Sequence, residues 1–238
     1  MSVVRRATGV LGELMITAGV LILLFVGWQL WWTDVSANAA QAGTVRVLER
    51  DFDATVGTGA RSVTPTTVEP RARLAEVPLG RAFAIVRVPR WGKDYARPVL
   101  EGTGRDTLSE GVGHYPGTAM PGAVGNFAVA GHRTTYGRPF HDIDTLRKGD
   151  AIIVETRSSY LVYSVQRHVI VTPEHVEVVA PVPQHVGERP TQRWMTLTAC
   201  HPEFSASHRY VVFARMVRAI PRSEGLPASY LHVSAKGA

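Results

Sequence analysis

The chain has 238 residues and one cysteine, with 26 Lys and Arg against 20 Asp and Glu for a net charge of +6, a length that suits one domain with accessories. One cysteine excludes any internal disulfide. There is no zinc-finger spacing and no short Lys/Arg-rich run, so the basic balance is that of a solvated surface or of a protein beside anionic lipid or polymer, with no nucleic-acid partner. No motif suggests a nucleotide or metal site, and no cofactor is expected.

In chain order, Arg5 and Arg6 precede a mostly apolar run over residues 14–32. At about 1.5 Å per helical residue the run reaches roughly 28 Å, the hydrocarbon thickness of a bilayer. The basic end favours staying inside, and Trp28, Trp31 and Trp32 suit an aromatic belt at the outer interface. A cleaved signal peptide is the rival reading, because Ala37-Asn38-Ala39 and Ala40-Gln41-Ala42 supply A-x-A arrangements. The length of the run and its bulky tryptophan end favour an anchor. The expected division is 1–10 inside, 11–32 spanning, 33–80 spacer, 81–220 main domain and 221–238 tail. Within the spacer, 34–53 suits a short helix, while 57–78 is rich in Gly, Thr, Pro and Arg and reads as an extended tether.

The rest reads as all-β. Strands are expected at 83–88, closed by Pro89, at 126–130, and at 151–155 after the turn Lys148-Gly149-Asp150. Further strands are expected at 160–165, at 168–171 before Pro173, at 196–200, and at 211–217. Residues 176–186 carry two prolines and no period, and suit an irregular loop beside the site. Several short strands separated by turns suggest a closed barrel or a sandwich.

Three strand ends carry chemistry. In an extended Thr196-Leu197-Thr198-Ala199-Cys200, the threonines and the thiol share one face, while Leu197 and Ala199 suit a core. His132 follows the strand at 126–130, and Arg209 opens the run at 211–217. A thiolate attacks a carbonyl, a histidine manages protons and an arginine holds a developing oxyanion. Singly, each has an ordinary structural reading, since a lone cysteine is usually a small buried hydrophobe and an arginine is usually solvated.

Thr196-Leu197-Thr198-Ala199-Cys200 followed by Arg209, with His132 upstream inside Gly122-Ala123-Val124-Gly125-Asn126-Phe127-Ala128-Val129-Ala130-Gly131-His132-Arg133, resembles the sortases, over roughly 81–218. Gly113-His114-Tyr115-Pro116-Gly117-Thr118-Ala119-Met120-Pro121-Gly122, Gly131-His132-Arg133-Thr134-Thr135-Tyr136-Gly137 and Cys200-His201-Pro202 look most like class E, found in high-GC Gram-positive bacteria. The resemblance implies an eight-stranded β-barrel with short helices in its loops. It also implies a cysteine transpeptidase that cleaves the Thr-Gly bond of a Leu-Ala-x-Thr-Gly or Leu-Pro-x-Thr-Gly sorting signal. The acyl group then passes through a thioacyl enzyme to a peptidoglycan-precursor amine.

On this resemblance Cys200, His132 and Arg209 are the catalytic residues. Thr198 lines the substrate groove, and Tyr115 either discriminates the second signal position or packs in its loop. His201 and His208 are expected as loop residues. The partners are surface proteins bearing sorting signals, the wall precursor and the membrane, with a single-pass topology, N-terminus cytoplasmic and catalytic domain extracellular. No Asp-Pro-aromatic lid and no second membrane segment are seen, which favours wall anchoring over pilus building. Rival readings are another cell-wall cysteine peptidase or transpeptidase, an inactive sortase-like surface protein, or a sortase substrate. Ser-His-Gly-Cys is absent, the papain-like order places Cys before His, and Leu226-Pro227-Ala228-Ser229 lacks Thr-Gly.

Overall fold

In a computed structural model that describes residues 2–57 and 77–230, alternation along the strands sorts side chains to two faces. Ile152 and Val154, then Met195, Leu197 and Ala199, then Tyr210, Val212 and Ala214 all enter one buried cluster with Val86, Phe127, Val129 and Tyr163. Each large apolar side chain so buried contributes about 1.5–3 kcal/mol. The strands are β1 Ala82–Arg87, β2 Arg97–Glu101, β3 Val112–His114, β4 Gly125–Ala130, β5 Ala151–Glu155, β6 Ser159–Val171, β7 Arg193–His201 and β8 His208–Pro221. They close into a barrel in the order β1-β2-β3-β4-β7-β8-β6-β5, so the eight-stranded barrel expected from the resemblance is the observed fold. The pairs β2·β3 and β4·β7 are parallel; the others are antiparallel.

Four local expectations differ. Residues 160–165 and 168–171 are one strand, β6, which runs past a register shift between Val165 and Arg167. The short strands β2 and β3 were not expected, and the helix α2, Arg105–Glu110, joins them. The segment 176–186 begins with a 3-10 turn, Val176–Val179, whose Val178 packs on Val211 and Phe213 outside the barrel. Residues 34–53 form no separate short helix. They continue a single helix, α1, Ser2–Gly57.

That helix has two halves. One stretch is long and apolar enough to cross a membrane and none of it is buried in the fold. Leu14, Leu23, Phe25, Trp28 and Trp31 are each more than half exposed. Beyond it, Val45, Leu48 and Phe52, spaced three and four apart on one helical face, pack on Ile85 of β1. Asp53 pairs with the buried Arg222 at 2.9 Å. Residues 34–57 are therefore a docked helix rather than a tether. Most of the extended tether expected at 57–78 lies outside the described residues, as do residues 231–238 of the tail.

Candidate active site

The parallel pair β4·β7 sets the site. Val129 lies opposite Leu197 and Ala130 opposite Thr198, and the Gly131 N–H donates to the Thr198 carbonyl at 3.1 Å. Parallel strands end at the same barrel edge, so the chain emerges there with His132 two residues past Ala130 and Cys200 two residues past Thr198. The antiparallel hairpin partner β8 then sets Arg209 directly across from Cys200. Directly opposed residues in such a pair have Cα atoms about 4.5–5.5 Å apart. The three residues come from separate elements and gather at one edge. Leu197 and Ala199 point into the core, as the alternation predicts, which turns Cys200 outward to a half-buried position.

His132 is half-buried. Its ring lies 5.0 Å from that of Tyr136, and burial lowers its pKa from the ordinary histidine value. Nε2 is buried and has no hydrogen-bond partner among the described residues, so this nitrogen is uncommitted. Arg209 donates from Nη1 to the carbonyls of Ala206 and His208, at 2.9 and 3.0 Å. These bonds turn the guanidinium toward the loop after β7.

Thr198 is buried, with 3% of its surface exposed. Its hydroxyl donates to the Val129 carbonyl at 3.3 Å and meets the Tyr115 hydroxyl at 3.0 Å. A threonine has one hydroxyl proton. Committing it to Val129 makes Tyr115 the donor to Thr198 and leaves the phenolic lone pairs unengaged. The Tyr115 loop is pinned from below. Its N–H donates to the Ala128 carbonyl at 2.9 Å, and Thr118 bonds both the Tyr115 carbonyl and His114 Nε2, at 2.8 and 2.9 Å. Buried His114 in turn meets Glu101 at 2.6 Å through Nδ1.

His201 and His208 are strand ends paired with each other, not loop residues. Sequence reasoning also missed Arg133. An arginine after a strand ordinarily reads as solvated, yet this one is 3% exposed. It ion-pairs with Asp144, donates from Nη1 to His201 Nδ1 at 2.8 Å and lies 3.7 Å from Glu203. A guanidinium only donates, so His201 Nδ1 accepts. Arg133 therefore ties the residue after His132 to the residue after Cys200. The signal in the sequence is its place directly beside His132. Among the described residues no group of His, Cys, Asp or Glu is arranged to hold a metal ion.

A sortase-domain family model matches residues 86–217. Sortase SrtE1 of Streptomyces coelicolor is 42% identical over 229 residues, covering 93% of this chain and 60% of that protein, so the chain spans less than two thirds of that relative. Sortase SrtE2 of the same organism is 31% identical over 91% of this chain and 84% of that protein. The solved structure of sortase E from Streptomyces avermitilis superposes with a TM-score of 0.59 at 41% identity, covering 64% of this chain and 99% of that one. The SrtA sortase from Actinomyces oris gives a TM-score of 0.63 at 41% identity, over 73% and 97%. A domain match over more than half of the chain, laid on the same closed barrel, means that this protein belongs to the sortase family of cysteine transpeptidases and has class E sortases among its relatives.

Proposed function

We propose that this chain is a membrane-anchored transpeptidase that cleaves a Leu-Ala-x-Thr-Gly or Leu-Pro-x-Thr-Gly sorting signal between Thr and Gly. It then joins the threonine carbonyl to an amine of a peptidoglycan precursor. The observation that carries this reading is the convergence of Cys200, His132 and Arg209 at one barrel edge, through the β4·β7 and β7·β8 registers. Cys200 passes its thiol proton to His132 and its Sγ attacks the threonine carbonyl carbon, whose oxygen takes the negative charge. Arg209 stabilises that oxyanion by donating hydrogen bonds to it. As the C–N bond breaks, His132 gives its proton to the glycine nitrogen, leaving a thioester on Cys200. The incoming amine attacks the thioester, His132 takes up its proton, and the sulfur leaves as the new amide forms.

The proposed topology follows from α1. Its basic start remains in the cytoplasm, Trp28, Trp31 and Trp32 sit at the outer interface, and the barrel works outside. Within the groove, the unengaged lone pairs of the Tyr115 hydroxyl accept the backbone N–H of an alanine at the second signal position, which a proline lacks.

Mass spectrometry of the purified protein with Leu-Ala-x-Thr-Gly peptide tests this. The expected results are an adduct of the peptide up to threonine, its discharge to a transfer product when an amine is added, and neither species in Cys200→Ala with an unchanged melting curve. Near-parental turnover in Cys200→Ala would sink the covalent mechanism, since there is no second thiol.

A further inference from the structure

The corner that follows His132 is made of three successive residues in the left-handed region: Tyr136 at φ 53°, Gly137 at φ 75° and Arg138 at φ 48°. Glycine takes that conformation freely, but its two neighbours carry a Cβ and are strained there. Such a corner persists only where its surroundings hold it. Its own loop supplies two bonds, from the Arg138 N–H to the Thr135 carbonyl at 3.0 Å and from the His141 N–H to the Arg138 carbonyl at 3.1 Å.

Further grip comes from α1, from the turns just past its apolar stretch, and from Arg97 of β2. Gln41 Nε2 donates to the Tyr136 carbonyl at 2.9 Å. Asp34 accepts the Gly137 N–H at 3.1 Å and pairs with Arg138 at 3.2 Å. Arg97 Nη2 bridges Asn38 Oδ1 and the Gly137 carbonyl, at 2.8 and 3.1 Å. The backbone lies so close that a methyl group on Gly137 would stand 2.9 Å from Asn38 Oδ1. Asp34, Asn38 and Gln41 occupy the same docked stripe as Val45, Leu48 and Phe52, four and three residues apart.

Gln41 is the informative member. It is fully buried, and its Oε1 has no hydrogen-bond partner among the described residues. An unsatisfied buried amide oxygen is destabilising. Further along the stripe the buried positions are Val, Leu and Phe, so an apolar residue at position 41 would be the cheaper occupant if packing were its only task. What glutamine adds is the bond to the Tyr136 carbonyl, and the Tyr136 ring packs against that of His132.

We propose that Gln41 is a positioning residue for the transpeptidation, fixing the 136–138 corner so that Tyr136 holds His132 in place. The helix that anchors the chain is thereby also part of the frame of its active site. The assignment rests on His132 being the acid and base of the reaction. Of the two, only His132 touches the reacting atoms, and Gln41 acts through it.

The test uses the full chain in detergent micelles or nanodiscs. Gln41→Leu keeps position 41 buried and removes the donor. Its kcat for peptide transfer should fall by at least ~10-fold, since a misplacement of about 1 Å costs roughly 100-fold, with the KM for the signal peptide and the melting temperature little changed. Asp34→Ala, which releases the same corner at Gly137 and Arg138, should give the same split. Val45→Ala, which loosens the docked helix away from the corner, should lower the melting temperature and leave kcat at the parental value. In a His132→Ala background, slow thioester formation followed by mass should show no further loss on adding Gln41→Leu. Parental kcat in both Gln41→Leu and Asp34→Ala would overturn the proposal. So would an equal loss in the His132→Ala background, or a loss that merely follows the melting temperature across all three helix variants. Full activity in His132→Ala would instead overturn the role of His132 itself.

Discussion

Replacing Arg133 by Met tests how the two halves of the site are kept aligned. Its guanidinium links the loop after β4 to the end of β7, one residue beyond His132 and one beyond Cys200, through Asp144 and His201. Removing one partner of a buried ion pair costs about 3–5 kcal/mol when it strands a buried charge. Here Asp144 and Glu203 are 44% and 41% exposed, so water takes over their charge and that full penalty does not apply. What is lost is the bonds the guanidinium makes, about 1.5–3 kcal/mol each for a charged group, offset by no longer having to desolvate it. A net loss of about 2 kcal/mol corresponds to about 4–8 °C in a domain of this size. Methionine keeps the apolar stem, so the change isolates the fork. Activity should suffer more than stability, because the loop carrying His132 is freed relative to Cys200; kcat should drop by at least ~10-fold at nearly constant KM. Arg133→Lys should recover the Asp144 pairing without the second bond, restoring melting temperature more than kcat. Thermal melts and steady-state transfer kinetics give both numbers. Parental kcat in Arg133→Met would refute the linkage, as would strictly additive effects of Arg133→Met and His201→Ala.

Three further outcomes are expected. His132→Ala and Arg209→Ala should each lower kcat/KM by at least ~100-fold, and Arg209→Lys should recover little because a point charge lacks the planar fork; a fully active Arg209→Lys would show that charge suffices. Tyr115→Phe should narrow the preference for Leu-Ala-x-Thr-Gly over Leu-Pro-x-Thr-Gly peptides, with the bond worth about 1 kcal/mol or several-fold; an unchanged preference assigns discrimination elsewhere. By NMR, His132 should titrate below the ordinary 6.5 because burial disfavours its charged form, and Tyr136→Ala should raise that midpoint by wetting the ring. A histidine whose pKa is lowered on folding binds fewer protons folded than unfolded. Its contribution therefore favours the folded state near and above pH 6.5 and is lost as pH falls through the lowered value. A midpoint at or above 6.5 would contradict the burial.

Much of the barrel is legible locally. The strand β5 follows a Lys-Gly-Asp turn as a short continuous apolar run buried on both faces, and β7 shows both faces in five residues. The strands β2 and β3 are not legible, because one opens with Arg97-Pro98 and the other is three residues long and centred on Gly113. Their existence depends on each other and on β1 and β4 as neighbours. The continuity of β6 is hidden by its register shift, where the alternation breaks at Gln166. Cys200, His132 and Arg209 stood out as strand-end residues, but their frame did not. Arg133 meets His201 from 68 residues away and Gln41 meets Tyr136 from 95, and no local pattern marks either as buried. The docked half of α1 carries the three-and-four spacing of an amphipathic helix, yet only the tertiary structure identifies the surface it covers.

The alignment of β4 with β7 is the quantity on which the chemistry depends, since side chains alternate faces. A slip of one residue along β7 would turn Cys200 toward the barrel interior and Leu197 out of it. Two independent devices resist that slip. Inside, Met195, Leu197 and Ala199 fill the core beside Phe127 and Val129. Outside, buried Asn126 on β4 accepts the Thr196 hydroxyl of β7 at 2.9 Å and donates to the carbonyls of Val178 and Ala180 at 3.3 and 3.0 Å. A slip would bury those polar atoms unpaired, at about 1–3 kcal/mol each. The threonines sharing the face of Cys200 therefore have separate tasks: Thr196 fixes register through Asn126, and Thr198, one step nearer the thiol, carries Tyr115. The Thr-Leu-Thr-Ala-Cys run thus carries the register bond, two core side chains, the Tyr115 contact and the proposed nucleophile within one strand, because its residues alternate between two faces.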